Sequence, residues 1–377
     1  MRILYILPYD WGAMPQYTAE IANAVSNYEE VIVLGSVGVN TAYFSNNVKV
    51  IKCFDSFSFS MNNFRKSFSL STIKALLSFK DLKIINEINP DIIHLTTPVI
   101  PPLSIYISYF GLDKKYPLIY TKHGVFSNSG FKEKILEEYI LGYFEKILKF
   151  SKIVVHTNKD KEELVDIKKY NEKNIVIIPH GIYTFFRKFE ANSLEEQNCI
   201  LFFGNIREYK GLRYLIEAVP FILSEIPDLK VIIAGEGDIS EFSSVIEKYK
   251  NVYEIHNEFV SDEKVAELFQ RSSTIVMPYT KMSGQSGILN VALAFNKPMV
   301  ASDVGSIKDV VVNGVTGFLV PPNDTHALAR ATITILKNSQ LRQEMEINLK
   351  EKYKNLSWDN IAKKHIELYS TMRTKSR

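Results

Sequence analysis

Short apolar runs rich in isoleucine and valine recur along the whole chain, each followed by a stretch with helical spacing. This alternation limits the available folds more than any other feature. In the first half the runs are Ile3–Leu7, Val31–Leu34, Ile92–Leu95, Leu118–Tyr120, Ile153–Val155 and Ile175–Ile178. In the second half they are Ile200–Phe203, Val231–Ala234, Thr274–Met277, Met299–Ala301 and Phe318–Val320. Runs this short, apolar at nearly every position, suit strands covered on both faces in a parallel sheet. Between them, segments such as Leu212–Leu223 place apolar residues three and four apart, as an amphipathic helix does. Strand–helix alternation predicts βαβ units and hence doubly wound sheets.

The series pauses at residues 183–198, where YTFFRKFEANSLEEQN is polar and lacks a strand pattern. CILFFGN then starts a fresh strand ending in glycine, as ILYILPYDWG does at the start. A chain of 377 residues exceeds what one core usually serves. Two Rossmann-like domains are therefore expected, with the step at 185/186.

Composition excludes several classes. Net charge is +3, with basic residues dispersed, which argues against nucleic acid. Cys53 and Cys199 lie far apart without ligand spacing, so neither zinc nor a disulfide framework is expected. The first apolar stretch is broken by Pro8 and Asp10 and reads as a buried strand rather than a leader. No run of about 20 apolar residues predicts a membrane span, and a cytoplasmic setting fits. The apolar stretch Val99–Leu112 holds Pro101 and Pro102 and reads as a loop and core helix. Residues 56–80 carry Arg65, Lys66, Lys74 and Lys80, spaced phenylalanines and no acid. That stretch reads either as a loop with a core-packed helix or as a surface for anions or a membrane face.

Two motifs carry the chemistry. In FFGNIREYKGLRYLIEA, Phe202 to Ala218, a strand ends at Gly204, Asn205 follows, and a turn presents Arg207 and Lys210 before Gly211 opens a helix. Ligands of open α/β sheets sit past the carboxyl ends of strands. Arg207 is suited to fork onto diphosphate oxygens and Lys210 to add a point charge. In KMSGQSGILNVALAFNKPMVASDVG, Gly284, Gln285, Ser286 and Gly287 precede a helix expected over Ile288–Phe295. Free N–H groups at a helix start, and glycines that let backbone approach closely, make a phosphate cradle. Elsewhere, Gly12 follows the first strand, Glu236 and Gly237 follow the strand Val231–Ala234, and His123 ends a predicted strand. His94 and His156 read as buried strand residues.

GNIREYKGLRYLIEAV resembles the diphosphate-binding turn of family 4 glycosyltransferases, which have the GT-B fold. NPDIIHLTTP, IPHGI, VIIAGEGD, PMVASDVGSIKDVVVNGVTGFLVPPND and LSWDNIAKKHIELY resemble further segments of that family, with His180 standing for the usual Asn in IPHGI. The resemblance implies two Rossmann-like domains facing each other across a cleft. It implies an acceptor domain at 1–185, a nucleotide-sugar domain at 186–355 and a closing helix at 356–377 that crosses back. The implied reaction is retaining transfer of a sugar from a nucleoside diphosphate donor to a glycan, lipid-linked or small-molecule acceptor, with Arg207 and Lys210 neutralising the departing diphosphate. His123 is implied to contact the transferred sugar. Gly12, Gly204, Asn205, Glu236, Gly237, Val260, Gly284, Gln285, Ser286, Gly287 and Ile288 are implied to contact the donor, with Phe259 and Val260 at the base. No Asp-X-Asp cluster is placed to hold a metal, so neither metal nor cofactor is expected. Membrane contact through 56–80 at the inner face of the membrane is a further expectation. One departure stands out. Most family members carry two glutamates where this chain has Ser283 and Val291, and it is similar to branches with a QSG turn. The departure leaves open a catalytically silent GT-B protein, or an epimerase of the same fold.

Overall fold

The computed structural model describes residues 1–55, 70–124, 141–190, 194–282 and 286–373. The chain divides into two units, Met1–Gly181 with Ser357–Arg377, and Ile182–Leu356.

In the first unit β1 (Arg2–Leu7), β2 (Glu30–Ser36), β3 (Val48–Phe54), β4 (Ile92–Leu95), β5 (Leu118–Thr121), β6 (Lys152–Val155) and β7 (Ile175–Ile177) form one parallel sheet in the order β3-β2-β1-β4-β5-β6-β7. Successive side chains of a strand point to opposite faces. Leu4 and Ile6 of β1 thus join one core with Ile93, Leu95 and Leu103, while Ile3, Tyr5 and Leu7 join another. The second core is closed by α1 (Ala13–Val25), through Tyr17, Ile21 and Val25, and by the C-terminal helix Trp358–Arg373, through Trp358, Ile361, Tyr369 and Met372. On the first face lie α2 (Leu70–Ser78) and α3 (Pro101–Tyr109). Pro101 and Pro102 occupy the first turn of α3, where a missing N–H costs nothing. Further along, α4 (Asn158–Asp166) is capped by Thr157, whose hydroxyl accepts from the Asp160 N–H at 3.0 Å and donates to the Asp160 carboxylate at 2.7 Å.

The second unit has β8 (Cys199–Phe203), β9 (Lys230–Ala234), β10 (Tyr253–His256), β11 (Thr274–Met277), β12 (Met299–Ser302) and β13 (Gly317–Val320), parallel in the order β10-β9-β8-β11-β12-β13. Its helices include α5 (Leu212–Leu223), α6 (Asp262–Arg271), α7 (Gly287–Ala294), α8 (Thr325–Lys337) and α9 (Ser339–Tyr353). α5 buries Leu212, Leu215, Ile216, Val219 and Ile222 against the sheet, the stripe that its spacing predicts.

Four sequence readings are adjusted. The edge strands β3 and β10 were not among the expected runs, because VKVIKCF and YEIH mix polar and apolar residues. The polar-looking stretch after Gly181 belongs with the second unit. Its Ile182 N–H donates to the Leu356 carbonyl at 3.1 Å, and Phe185 and Phe186 are buried. His123 and His156 sit just past β5 and β6, not within them. Of residues 56–80, positions 56–69 lie outside the described residues. The remainder forms a helix that buries Ala75 and Phe79, the latter stacked on Phe54 at 4.7 Å, and exposes Lys74, Leu77 and Lys80.

Candidate functional site

In each sheet the strand order reverses once, between β1 and β4 and between β8 and β11. Loops leaving the carboxyl ends of adjacent strands diverge there and open a crevice. Gly12 follows β1, Gly204 to Lys210 follow β8 and Ser286 to Ile288 follow β11, whereas His123, the Glu236–Gly237 pair and Val260 follow the strands β5, β9 and β10.

On the second unit, β8 is followed by Gly204, whose φ of 99° suits glycine. A Cβ on Gly204 would stand 2.6 Å from Lys210 Nζ and 2.7 Å from Ile288 Cδ1. The ammonium of Lys210 therefore lies over the backbone at the switch point, beside the first turn of α7. It also sits 5.6 Å from the centroid of the Tyr279 ring, just past β11. Lys210 is only 8% exposed, and burial pulls its pKa from 10.5 down to about 8. No carboxylate pairs with it among the described residues. A buried cation without a counter-charge is costly, and an anion brought to it would be bound strongly.

Gly211 holds this turn in place. Its φ is 69°, and a Cβ there would come 1.9 Å from the Pro278 carbonyl oxygen. The loop after β9 packs as tightly: Ile206 N–H donates to the Glu236 carbonyl at 2.7 Å, and a Cβ on Gly237 would meet Ile206 at 2.5 Å. Arg207, Asn205, Glu236 and Gly237 are exposed on these loops, and Val260 is partly buried. Of the expected cradle, Gly284 and Gln285 lie outside the described residues, as does Ser283. Ser286 caps α7, Gly287 begins it and Ile288 is buried. Val291 is buried in the core.

On the first unit, Gly12 is exposed at the start of α1 with φ 72°. His123 follows β5 and is partly buried. Its Nε2 lies 2.8 Å from the Thr96 carbonyl oxygen. The residues around it were not singled out from sequence. Tyr17 of α1 is enclosed by His123, His156, His180 and Trp358, with ring centroids 4.5, 5.7, 4.9 and 5.4 Å away. Deeper in, His94 bridges the Tyr369 hydroxyl and the Thr121 hydroxyl, each at 2.7 Å. Burial holds these imidazoles toward neutrality, with His180 drawn down to about 3 and His365 to about 4. The only sequence signal for this cluster was that His94, His123, His156 and His180 each stand in or just after a strand. Among the described residues no group of three His, Cys, Asp or Glu side chains is arranged to hold a metal ion, and no helix is long and apolar enough to cross a membrane.

Residues 47–184 match the family model Glycosyltransferase Family 4, and residues 197–338 match Glycosyl transferases group 1. A glycosyltransferase of Methanocaldococcus jannaschii is 29% identical over 55% of this chain and 57% of its own length. A phosphatidyl-myo-inositol mannosyltransferase of Mycobacterium leprae is 29% identical over 46% of this chain and 47% of its own. The chain thus spans about half the length of these curated relatives. A solved structure from Anabaena, in complex with UDP and glucose, superposes with a TM-score of 0.73 at 15% identity, over 98% of this chain and all of that one.

Proposed function

The chain belongs to the glycosyltransferases of family 4 and group 1 and has the GT-B fold, and on that premise we propose that it moves a sugar from a nucleoside diphosphate donor to an acceptor, with retention at the anomeric carbon. The observation that carries this reading is Lys210: a buried ammonium, with no carboxylate partner among the described residues, at the switch point of the second sheet. Departure of the diphosphate develops negative charge. Lys210, Arg207 and the N–H groups at the start of α7 are the groups suited to stabilise it. Gly204, Asn205, Glu236, Gly237, Val260, Gly284, Gln285, Ser286, Gly287 and Ile288 would contact the donor. On the first unit, His123 and Gly12 would contact the transferred sugar and the donor.

The charge supplied by Lys210 and Arg207 takes the place of a divalent ion, so turnover should persist in EDTA. Loss of turnover on chelation would overturn that part. The acceptor is proposed to be a glycan or a lipid-linked sugar. The exposed Lys74, Leu77 and Lys80 favour contact with a membrane face, as does the relative named for a phosphatidyl-inositol substrate. Indifference to anionic vesicles at low salt would count against that contact.

A thermal-shift screen of UDP-, GDP- and ADP-sugars tests the whole reading. One of them should raise the melting temperature, and Lys210→Met should abolish the rise and cut turnover by about a hundredfold. The buried Val291, where relatives are expected to carry a carboxylate, favours one alternative, a protein that binds the donor without transferring it. Binding without any product from donor and acceptor extracts would select that alternative.

A further inference from the structure

His123 and His156 form a chain of contacts that is one proton short. The Thr96 carbonyl lies 2.8 Å from His123 Nε2, His123 Nδ1 lies 3.3 Å from His156 Nε2, and His156 Nδ1 lies 2.9 Å from the Ile178 carbonyl. A carbonyl oxygen only accepts, so the two outer nitrogens must carry the hydrogens. A neutral imidazole carries one hydrogen. With both rings neutral, the two inner nitrogens therefore face each other lone pair to lone pair. A third proton removes the conflict and leaves the pair with a single positive charge.

We propose that His123 and His156 are a proton-sharing dyad that binds one proton as a unit, and that His156 thereby positions His123. The Tyr17 ring packs 4.5 and 5.7 Å from the two imidazoles, perpendicular to that of His123. Neighbouring histidines oppose the added charge. His180 lies 5.1 Å from His156 and 6.3 Å from His123. His365 from the C-terminal helix acts on His156, and His94 of β4 feels His123. The nearest acid along the chain, Asp160 of α4, is hydrogen-bonded to Thr157. Burial draws His123 down to about 4 although the contact with the Thr96 carbonyl raises it, whereas a free imidazole titrates near 6.5. The dyad's midpoint lies below that of a free imidazole, because burial lowers both rings, and belongs to the pair rather than to either ring.

The functional consequence rests on the role of His123 given under Proposed function. A positive charge beside a sugar that is itself becoming cationic disfavours transfer, so the rate should fall as pH drops through the dyad's midpoint. Ring-nitrogen NMR of the full chain labelled in histidine, without substrate, tests the dyad apart from any activity. The His123 and His156 signals should move together with one proton taken up, and His156→Gln should abolish the His123 movement, since an amide donates to Nδ1 without an added proton. His123→Gln should do the same to His156. Independent titrations, a His123 curve unchanged in His156→Gln, or a response of either ring to a chelator would overturn the proposal. In the rate assay, His156→Gln should lose the acid-side fall relative to its own maximum, whereas His156→Phe should lose turnover at every pH. An acid limb unchanged in His156→Gln would overturn the positioning role. A chain that transfers no sugar would refute the reading under Proposed function and leave the NMR result to decide the dyad.

Discussion

Lys210 sets the terms at the scale of single residues. Its pKa moves from 10.5 to about 8 because burial disfavours the charged form. That costs the folded state on the order of 3 kcal/mol at neutral pH. Between the two values the unfolded chain binds the proton and the folded chain does not, so this contribution makes stability rise with pH from about 8 toward 10.5. Lys210→Met removes the cost. Without ligand it should be more stable than the parent at pH 7, and the gap should narrow by pH 10 in paired urea titrations. A variant less stable at pH 7 would mean that the ammonium already has a partner. Gly211 makes the opposite case. A side chain there must adopt a left-handed φ of 69° and collide with the Pro278 carbonyl. Gly211→Ala should therefore cost on the order of 2–4 kcal/mol, read by the same titration. Arg207 and Lys210 were legible as a charged pair in a glycine-framed turn. Their opposite environments, one exposed and one buried, were not, because Tyr279 and Ile288, which cover Lys210, come from two other points in the chain.

At the scale of elements, the central strands and the edge strands β7 and β13 were legible as apolar runs, whereas the edge strands β3 and β10 were not. β10 shows why. Its Glu254 and His256 bond each other, and Glu254 is also held by groups distant in sequence. Arg271 of α6 bonds Glu254 at 2.7 and 2.9 Å, Lys230 of β9 reaches it at 2.9 Å, and His256 at 2.8 Å. Glu196 and Glu267 also bind Arg271. A four-residue window of sequence contains neither Arg271 nor Lys230. Arg271 leads the causes that hold the Glu254 carboxyl well below its ordinary range. A depressed carboxylate contributes stability above its unfolded pKa, about 4.3, and loses it as pH falls. Arg271→Ala should cost on the order of 1–3 kcal/mol at pH 7. The difference from the parent should shrink below pH 4 in denaturation curves. A constant difference across that range would assign the loss to packing.

At the scale of the molecule, the two units have separate sheets and separate cores. Differential scanning calorimetry should resolve two transitions. A nucleoside diphosphate at a hundred times its Kd should stabilise the transition of Ile182–Leu356 by about 2.7 kcal/mol through the proposed donor site. A shift of the other transition alone would place the nucleotide on the wrong unit. The division itself was readable from the fresh strand at Cys199. The position of the step was not, because Phe185 and Phe186 look like linker residues until α6 and α7 are there to cover them.

The C-terminal helix gives the chain a particular order of completion. Trp358 packs so closely on Gly181 that a Cβ there would stand 2.5 Å from the indole, and the helix covers a face of the first sheet. During synthesis, the 175 residues of Ile182–Leu356 must leave the ribosome before that cover arrives, which takes roughly 10–35 s at about 5–20 residues per second. The middle of the protein can finish folding while the beginning still waits, with Tyr5, Ile21 and their neighbours exposed, for the last segment to be made.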